Sequence, residues 1–361
     1  MSNPLDTNDL RARVQVAVDA EIACQSRVLS EIGDDLTPLV AAVGALLQGG
    51  KRLRAAFLYW GYRAGGGPDD EAVIRAATAM EFFQAAALLH DDVMDDSDTR
   101  RGMPAAHRRL ANEHAAAGWS GSGDRFGLAG AILGGDLCLT WSDELFATSG
   151  LPAAELTRAR PVFDRMRTQL MGGQFLDVLE SARGWDELTT DERITCARRV
   201  IRYKSAKYTI EHPLLIGAAA AGVSTADLDA LSTYGLDLGE AFQLRDDVLG
   251  IFGDPAQTGK PAGDDLREGK LTVLVALALD HASPTTVAIF DKLLGLPDLD
   301  EPRVDELRDA ITASGALDRV EQMIQELSAS ARTALHSTTT LTNEGRAALD
   351  ALIDVSTARS A

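Results

Sequence analysis

Three observations predict an all-α fold. Apolar residues recur at helical spacing through most of the 361 residues, and no alternating β-branched run exceeds a few positions. Good helix formers (Ala, Leu, Glu, Arg) are abundant, with only 12 prolines to interrupt them. A hydrophobic share of 45% leaves ample apolar mass for a core. No internal repeat divides the chain, so it reads as a single domain over 1–361 with about a dozen helices. Residues 1–9 read as a flexible end and 300–361 as a set of C-terminal helices.

Residues 10–30 place Leu10, Val14, Val18, Ile22 and Leu29 at helical spacing, a surface helix. Asp34 to Pro38 restarts a helix that Gln48-Gly49-Gly50 ends, and Lys51-Arg52-Leu53-Arg54 opens the next, over 55–63. Two glycines and three cations at a helix start form an anion site, because backbone N–H groups, helix dipole and side-chain charge converge there. After a loop at 64–69, Glu71 begins a helix that is apolar nearly all round, with Glu81 and Gln84 its polar exceptions. Such a helix belongs in the middle of the fold. Residues 115–127, rich in Gly and Ser, read as a flexible surface loop. Helices follow over 128–147, 152–179, 190–221, 226–248 and, buried, 271–279; a connector at 296–302 precedes two or three amphipathic helices. Gly172-Gly173 inside a helical pattern marks close approach of a ligand or of another helix. Lys204, in an amphipathic helix, reads by itself as a lysine reaching for solvent.

The formal net charge of −19 argues against nucleic acid and anionic membranes as partners. Cys24, Cys138 and Cys196 are scattered, odd in number and without metal or redox spacing, which fits a reducing, cytoplasmic compartment. The N-terminal residues lack the basic and apolar regions of a signal peptide. No window reads as a membrane span, the most apolar ones carrying Arg75, Glu81 and Gln84, so no stable membrane insertion is expected. Histidine pairs at metal spacing, nucleophile elbows, Walker loops and dinucleotide fingerprints are all missing.

The chemistry is concentrated in two acidic stretches. Asp91, Asp92, Asp95, Asp96 and Asp98 fall within eight residues at the end of the apolar helix, followed by Arg100 and Arg101. On a helix, Asp91 and Asp95 are i,i+4 neighbours and Asp92 and Asp95 i,i+3 neighbours. Two carboxylates about 4 Å apart repel by roughly 4 kcal/mol at an effective dielectric near 20, so cations belong between them. Oxygen-only ligands with open positions suit Mg²⁺, which takes a few carboxylates plus substrate phosphates. A matching stretch, Phe242-Gln243-Leu244-Arg245-Asp246-Asp247, ends a second apolar helix and is followed by Gly259-Lys260, Asp264-Asp265 and Gly269-Lys270.

Taken together, these residues resemble the trans-prenyl diphosphate synthases of the polyprenyl synthetase family, from about Leu36 to Asp280. The matching motifs are Gly-Gly-Lys-Arg-x-Arg at Gly49–Arg54, Asp-Asp-x-x-Asp at Asp91, Asp92 and Asp95 with Arg100-Arg101-Gly102, and Gly-Gly-Gln at Gly172–Gln174. To these are added Lys204-Ser205 at the Lys-Thr position, Phe242 to Asp247, and Lys260. The resemblance implies an isoprenoid-synthase-type helical bundle around a deep central cavity, a homodimer, and Mg²⁺ as cofactor, about three ions with substrate bound. It implies head-to-tail condensation of isopentenyl diphosphate with an allylic diphosphate. Asp91, Asp95 and Asp246 would hold metal, assisted by Asp92 and Asp247; Arg100, Lys204 and Lys260 would meet the allylic diphosphate. Lys51, Arg54, Arg101 and Gln84 would hold isopentenyl diphosphate, with Ser205 and Gln243 also at the substrate.

One departure stands out: Gly250 replaces the third acid of the second motif. Product length is read from Ala87 and Ala86, four and five residues before Asp91, where the resemblance implies a cavity floor in farnesyl-making members. The next bulky residues, Phe82 and Phe83, lie about 4.5–6 Å deeper on the helix, close to one isoprene unit, which points to a C20 product. A longer-chain synthase, a class I terpene cyclase and a non-catalytic subunit are the alternatives. A cyclase should carry an Asn-x-x-x-Ser-x-x-x-Glu metal site in place of Asp246-Asp247, and non-catalytic subunits usually lose first-motif aspartates, which this chain retains.

Overall fold

The structure is a computed structural model, described over residues 3–185, 187–253, 263–280, 282–296 and 298–358. Its centre is α4 (Glu71–Met94). Asp70 caps it, accepting from the backbone N–H groups of Ala72 and Val73 at 3.0 and 3.2 Å. The alanine-rich stretch that follows lets neighbours approach on every side, and 14 of its 24 residues are buried. By length and hydropathy α4 alone among the described helices is apolar enough to cross a bilayer, but 72% of its most apolar window is covered by protein. It is a core helix, which the sequence did expect.

Around it pack α1 (Leu10–Ser30), α2 (Thr37–Leu46), α3 (Leu53–Ala64), α5 (Ala106–Ala116), α6 (Gly123–Ala147), α7 (Ala153–Arg183) and α8 (Thr190–Val200). α6 lies along α4, with Phe82 edge-on to Trp141 and the Ser142 hydroxyl donating to Ala79 O at 2.7 Å. α8 runs without a break into a π-helical segment, Ile201–Glu211, and then α9 (His212–Ala220). α10 (Thr225–Phe252) passes through two apolar clusters: Leu231, Tyr234 and Leu238 join the α3–α4 core. Ala241, Leu244, Val248 and Ile251 join a second core. That second core is completed by α11 (Asp264–Arg267), α12 (Val273–Ala278), α13 (Pro284–Leu293), α14 (Glu301–Ala313) and α15 (Ala316–His336). α16 (Asn343–Thr357) returns to α3.

The all-α class stands, with one two-residue hairpin as the exception among the described residues. Three local expectations change. The loop expected over 115–127 shrinks to 117–122, because the Ser122 side chain caps α6 by accepting from Arg125 N. α10 extends one turn past residue 248 and carries Gly250 inside the helix. The N-terminal segment expected to be flexible is pinned from residue 3 onward: Leu5 is 2% exposed and Trp60 Nε1 donates to Pro4 O at 3.0 Å.

Candidate active site

At the end of α4 the three aspartates divide between two faces. Asp91 and Asp95 lie on the open face, while Asp92 is buried. The division depends on the hairpin of β1 (Thr99–Arg100) and β2 (Met103–Pro104). Arg100 pairs with Met103, so Arg101 and Gly102 are its two loop residues, and both have positive φ, 53° and 73°. That is the turn whose twist matches an antiparallel pair. It sends Arg100 back onto Asp92, with Nε donating at 2.7 Å, and leaves its NH2 at 3.7 Å from Asp91. It also sends Arg101 across to α2, donating to Leu46 O at 3.0 Å.

Asp91 is gripped from two further elements. Gln174 Nε2 of α7 donates to Asp91 Oδ1 at 2.7 Å, and Lys204 Nζ of the π-helical segment stands 3.3 Å from the same atom. Burial pulls the Asp91 carboxyl up, yet the Lys204 and Arg100 charges outweigh it and hold its pKa below the ordinary value. Asp95 has weaker compensation: enclosure, then the Asp91 charge, push it up to about 6. Lys204 is not the solvent-seeking lysine its helix alone suggests. Its ammonium is ion-paired to Asp177 at 2.6 Å as well as to Asp91, and these charges raise its pKa against burial. The approach of the π-helical segment requires Gly173: a Cβ there would sit 2.4 Å from Tyr203 C. Gly172 faces open space. A π-helical stretch is rare and recurs at functional sites.

The end of α10 supplies the second acidic pair. The Ser205 hydroxyl donates to Gln243 Oε1, and Gln243 Nε2 donates to Asp247 Oδ1 at 2.8 Å, so one chain of bonds runs from the π-helical segment to Asp247. Burial first, then the Asp265 charge, push Asp247 up to about 7. Asp246 is water-accessible but enclosed; its surroundings push it up to about 6, with Lys51 and Arg54 pulling down and Asp265 pulling up. An accessible carboxyl so shifted lies in a water-filled recess rather than on an open surface. Lys270 is a further cation of the site, one to which no role is given from the sequence. It pairs with Asp265 at 2.9 Å and Glu268 at 2.7 Å, and its charge is felt by Asp91, Asp95, Asp246 and Asp247 alike. Lys260 lies outside the described residues.

A separate cation group stands at the start of α3. Lys51 is exposed and makes no ion pair or hydrogen bond among the described residues. Arg54 stacks over Tyr208 at 4.1 Å and donates to Thr209 Oγ1 at 2.9 Å, leaving its Nε buried without a partner. The Arg101 guanidinium passes 3.5 Å from where a Gly50 Cβ would stand. Burial, then the Arg52, Arg54 and Arg100 charges against an opposing pull from Glu81, lower the Arg101 pKa. Arg52, the other cation of this motif, turns inward instead. Its backbone is left-handed at φ 55°, and it is sealed against Glu81 at 2.7 Å with Leu47 O as a second acceptor. Gln84, half-buried on α4, makes no hydrogen bond among the described residues.

On α4 the partly open positions Gln84, Ala87, Leu88 and Asp91 form one stripe. Ala87 is on it. Ala86 is fully enclosed, and Phe83 is packed edge-on to Tyr208 at 6.0 Å, behind Arg54. Of the three positions read as setting product length, then, only Ala87 faces the recess. A cleft of about 420 Å³ elsewhere, between Arg245, Glu321, Arg332 and Thr357, holds an internal Arg245–Glu321 ion pair at 2.6 Å and none of these groups.

The donor set fits Mg²⁺. Asp91 and Asp95 on one helix end and Asp246 and Asp247 on the other offer oxygen alone, and three of the four are held above their ordinary pKa, a state a divalent cation relieves. Among the described residues no three His, Cys, Asp or Glu side chains form a closed cage, so water and phosphate oxygens would complete the shell.

An all-helical core helix ending in paired acids, beside two groups of cations, defines a class that handles diphosphates. The polyprenyl synthetase family profile matches residues 37–311, and the chain belongs to that family of prenyltransferases, the polyprenyl diphosphate synthases. A geranylgeranyl pyrophosphate synthase of Corynebacterium glutamicum, solved with isoprenyl diphosphate and magnesium, is 40% identical with a TM-score of 0.91, over 97% of this chain and 98% of that one. The geranylfarnesyl diphosphate synthase of Aeropyrum pernix is 32% identical, covering 87% of this chain and 92% of its own. The nonaprenyl diphosphate synthase of Mycobacterium tuberculosis is 30% identical, over 96% and 92%.

Proposed function

We propose that this chain joins isopentenyl diphosphate head-to-tail to an allylic diphosphate and releases pyrophosphate, with geranylgeranyl diphosphate (C20) as its product. The observation that carries the reading is the separation of two cation groups. Lys204 and Arg100 are committed to acids, beside Asp91 and Asp95. Lys51 and the Arg54 Nε have no protein partner and stand near Asp246. One diphosphate leaves and one does not, and the two groups answer those different needs.

Asp91, Asp95 and Asp246 would hold about three Mg²⁺ ions together with the allylic diphosphate. Bound there, Mg²⁺ supplies positive charge to the leaving diphosphate as its C–O bond breaks. Arg100, Lys204 and Lys260 add charge on the same oxygens, where negative charge develops. Lys51, Arg54 and Arg101, with Gln84, orient isopentenyl diphosphate so that its double bond attacks the allylic carbon, which then loses a proton. Ser205 and Gln243 keep Asp247 in place through their hydrogen bonds. The enzyme would work as a cytoplasmic homodimer of single-domain subunits; exposed Ile132 and Leu133 on α6 and Phe175 on α7 offer apolar surface for the second copy.

The open stripe of α4 gives the length. Below Ala87 the next stripe residue is Gln84, about 4.5 Å deeper at 1.5 Å per residue, again close to one isoprene unit. The relatives named above span geranylgeranyl, geranylfarnesyl and nonaprenyl products, so length is the point to test. Purified protein with Mg²⁺, isopentenyl diphosphate and allylic primers of each length should yield C20, and Ala87→Phe should stop near C15. Wild-type product of C25 or longer would replace the length assignment. An Ala87→Phe enzyme with an unchanged product would remove α4 as the ruler.

A further inference from the structure

α10 carries Asp246, Asp247 and then Gly250, which leaves the helix one carboxylate short of its family pattern. The place is not vacant. A Cβ on Gly250 would lie 2.0 Å from Asp265 Oδ2 and 2.6 Å from its Cγ, so a carboxylate from α11 already fills the volume of a residue-250 side chain. Backbone bonds fix this arrival: Gly263 N donates to Gly250 O at 3.1 Å and Lys270 N to Asp265 O at 3.0 Å. The Asp265 side chain is 11% exposed, with Oδ1 turned to Lys270 Nζ at 2.9 Å while Oδ2 lies toward α10.

Asp265 also shares the electrostatic space of the acid pair. Its charge is the largest neighbouring charge acting on Asp247, and it acts on Asp246 as well. A purely structural carboxylate would be placed to neutralise Lys270; this one is crowded against two other acids in a cluster still short of cations.

We propose that Asp265 is the third carboxylate of the second acidic cluster, supplied through space from α11 in place of the acid that Gly250 removes from α10, and that it faces the divalent cation held at Asp246. The inference rests on the reading of this end as a Mg²⁺ site. It also explains the glycine: with Asp265 in position, an acid at 250 would put two carboxylates in one volume.

The test is Mn²⁺ binding, read by electron paramagnetic resonance with inorganic pyrophosphate present, alongside thermal melting without metal. Asp265→Asn keeps the shape and should weaken Mn²⁺ binding by about tenfold, the scale on which groups around a metal are felt. Gly250→Asp with Asp265→Gly returns the acid to the helix and should recover affinity to within about threefold of wild type, whereas Asp265→Gly alone should not. Asp265→Asn with a lowered melting temperature but wild-type Mn²⁺ affinity would make the residue structural and overturn the proposal. So would a folded double variant that fails to recover. If the double variant does not fold, Asp265→Asn decides the matter alone. Wild-type protein that shows no pyrophosphate-dependent Mn²⁺ binding would overturn the metal-site reading itself, a distinct result.

Discussion

The ends of α4 and α10 carry the same Asp-Asp sequence and are balanced in opposite ways. At α4, Asp91 is met by Lys204, Gln174 and Arg100, and Asp92 is sealed against Arg100, so Asp91 stays a ready anion. At α10, Asp247 is met by an amide and crowded by Asp265, and Asp246 looks toward cations that have another task, so both are pushed up to between about 6 and about 7. One end is organised by the protein before any ligand arrives. The other is left under-neutralised and stands to gain most from the cations and diphosphate that complete it. A repeated motif therefore need not mean repeated energetics.

The most damaging change to this arrangement should be at the organised end. Asp91→Ala removes a carboxylate ligand and strands Lys204, Gln174 and Arg100 together. Turnover should fall by roughly 10³-fold, equivalent to about 4 kcal/mol of barrier. Near-normal turnover in that variant, or in wild type with excess EDTA, would place the chemistry elsewhere.

Next in size come the cations, which separate the two halves by kinetics. Lys204→Ala should depress kcat by about 10²-fold, because its charge meets a leaving group. Lys51→Ala and Arg54→Ala should chiefly raise the KM for isopentenyl diphosphate, by about tenfold each, because that diphosphate stays bound to the product. If all three lowered kcat with both KM values unchanged, the assignment of two diphosphate sites to two cation groups would collapse.

Much of this was legible in the sequence because it is local. The spacing of Leu10, Val14 and Val18 gave α1 its bounds, and the all-round apolar run to Leu89 marked α4 as central. The acid pairs and Lys51–Arg54 announce themselves as charge in an apolar setting. Less visible were features decided by tertiary approach. The π-helical segment has the residue spacing of an ordinary helix, and only Gly173 on α7 hints at how near its backbone comes. The hairpin that aims Arg100 and Arg101 has two residues per strand, too few for any periodicity. Arg52 looked like a third ligand cation, and burial against Glu81 made it a brace. Asp177, Lys270 and Asp265 gain meaning only from partners 27, 5 and 15 positions away, and no spacing rule reaches across those turns.

The smallest effect expected is also the one that isolates the contrast between the two ends, since it needs no substrate. Asp91, with its pKa lowered in the fold, contributes stability above the ordinary carboxylate range and loses it as pH falls. Asp247 runs the other way. Its carboxyl moves from 3.8 to about 7 in the folded protein, so the fold binds that proton more tightly than the unfolded chain does. For this group, stability is fully present below about pH 4 and is lost as pH rises toward about 7. Asp247→Asn cannot ionise and still offers an oxygen to Gln243 Nε2. Without metal it should match wild type near the acid end of that window and exceed it, by on the order of 2 kcal/mol, above it. Mg²⁺ with pyrophosphate should shrink the gap, because bound cations favour the ionised carboxylate of the wild type. The measurement is chemical denaturation of both proteins across the pH range, with and without those ligands. Parallel stability profiles would mean that Asp247 is neutralised within the protein after all, and that the two acidic ends are alike.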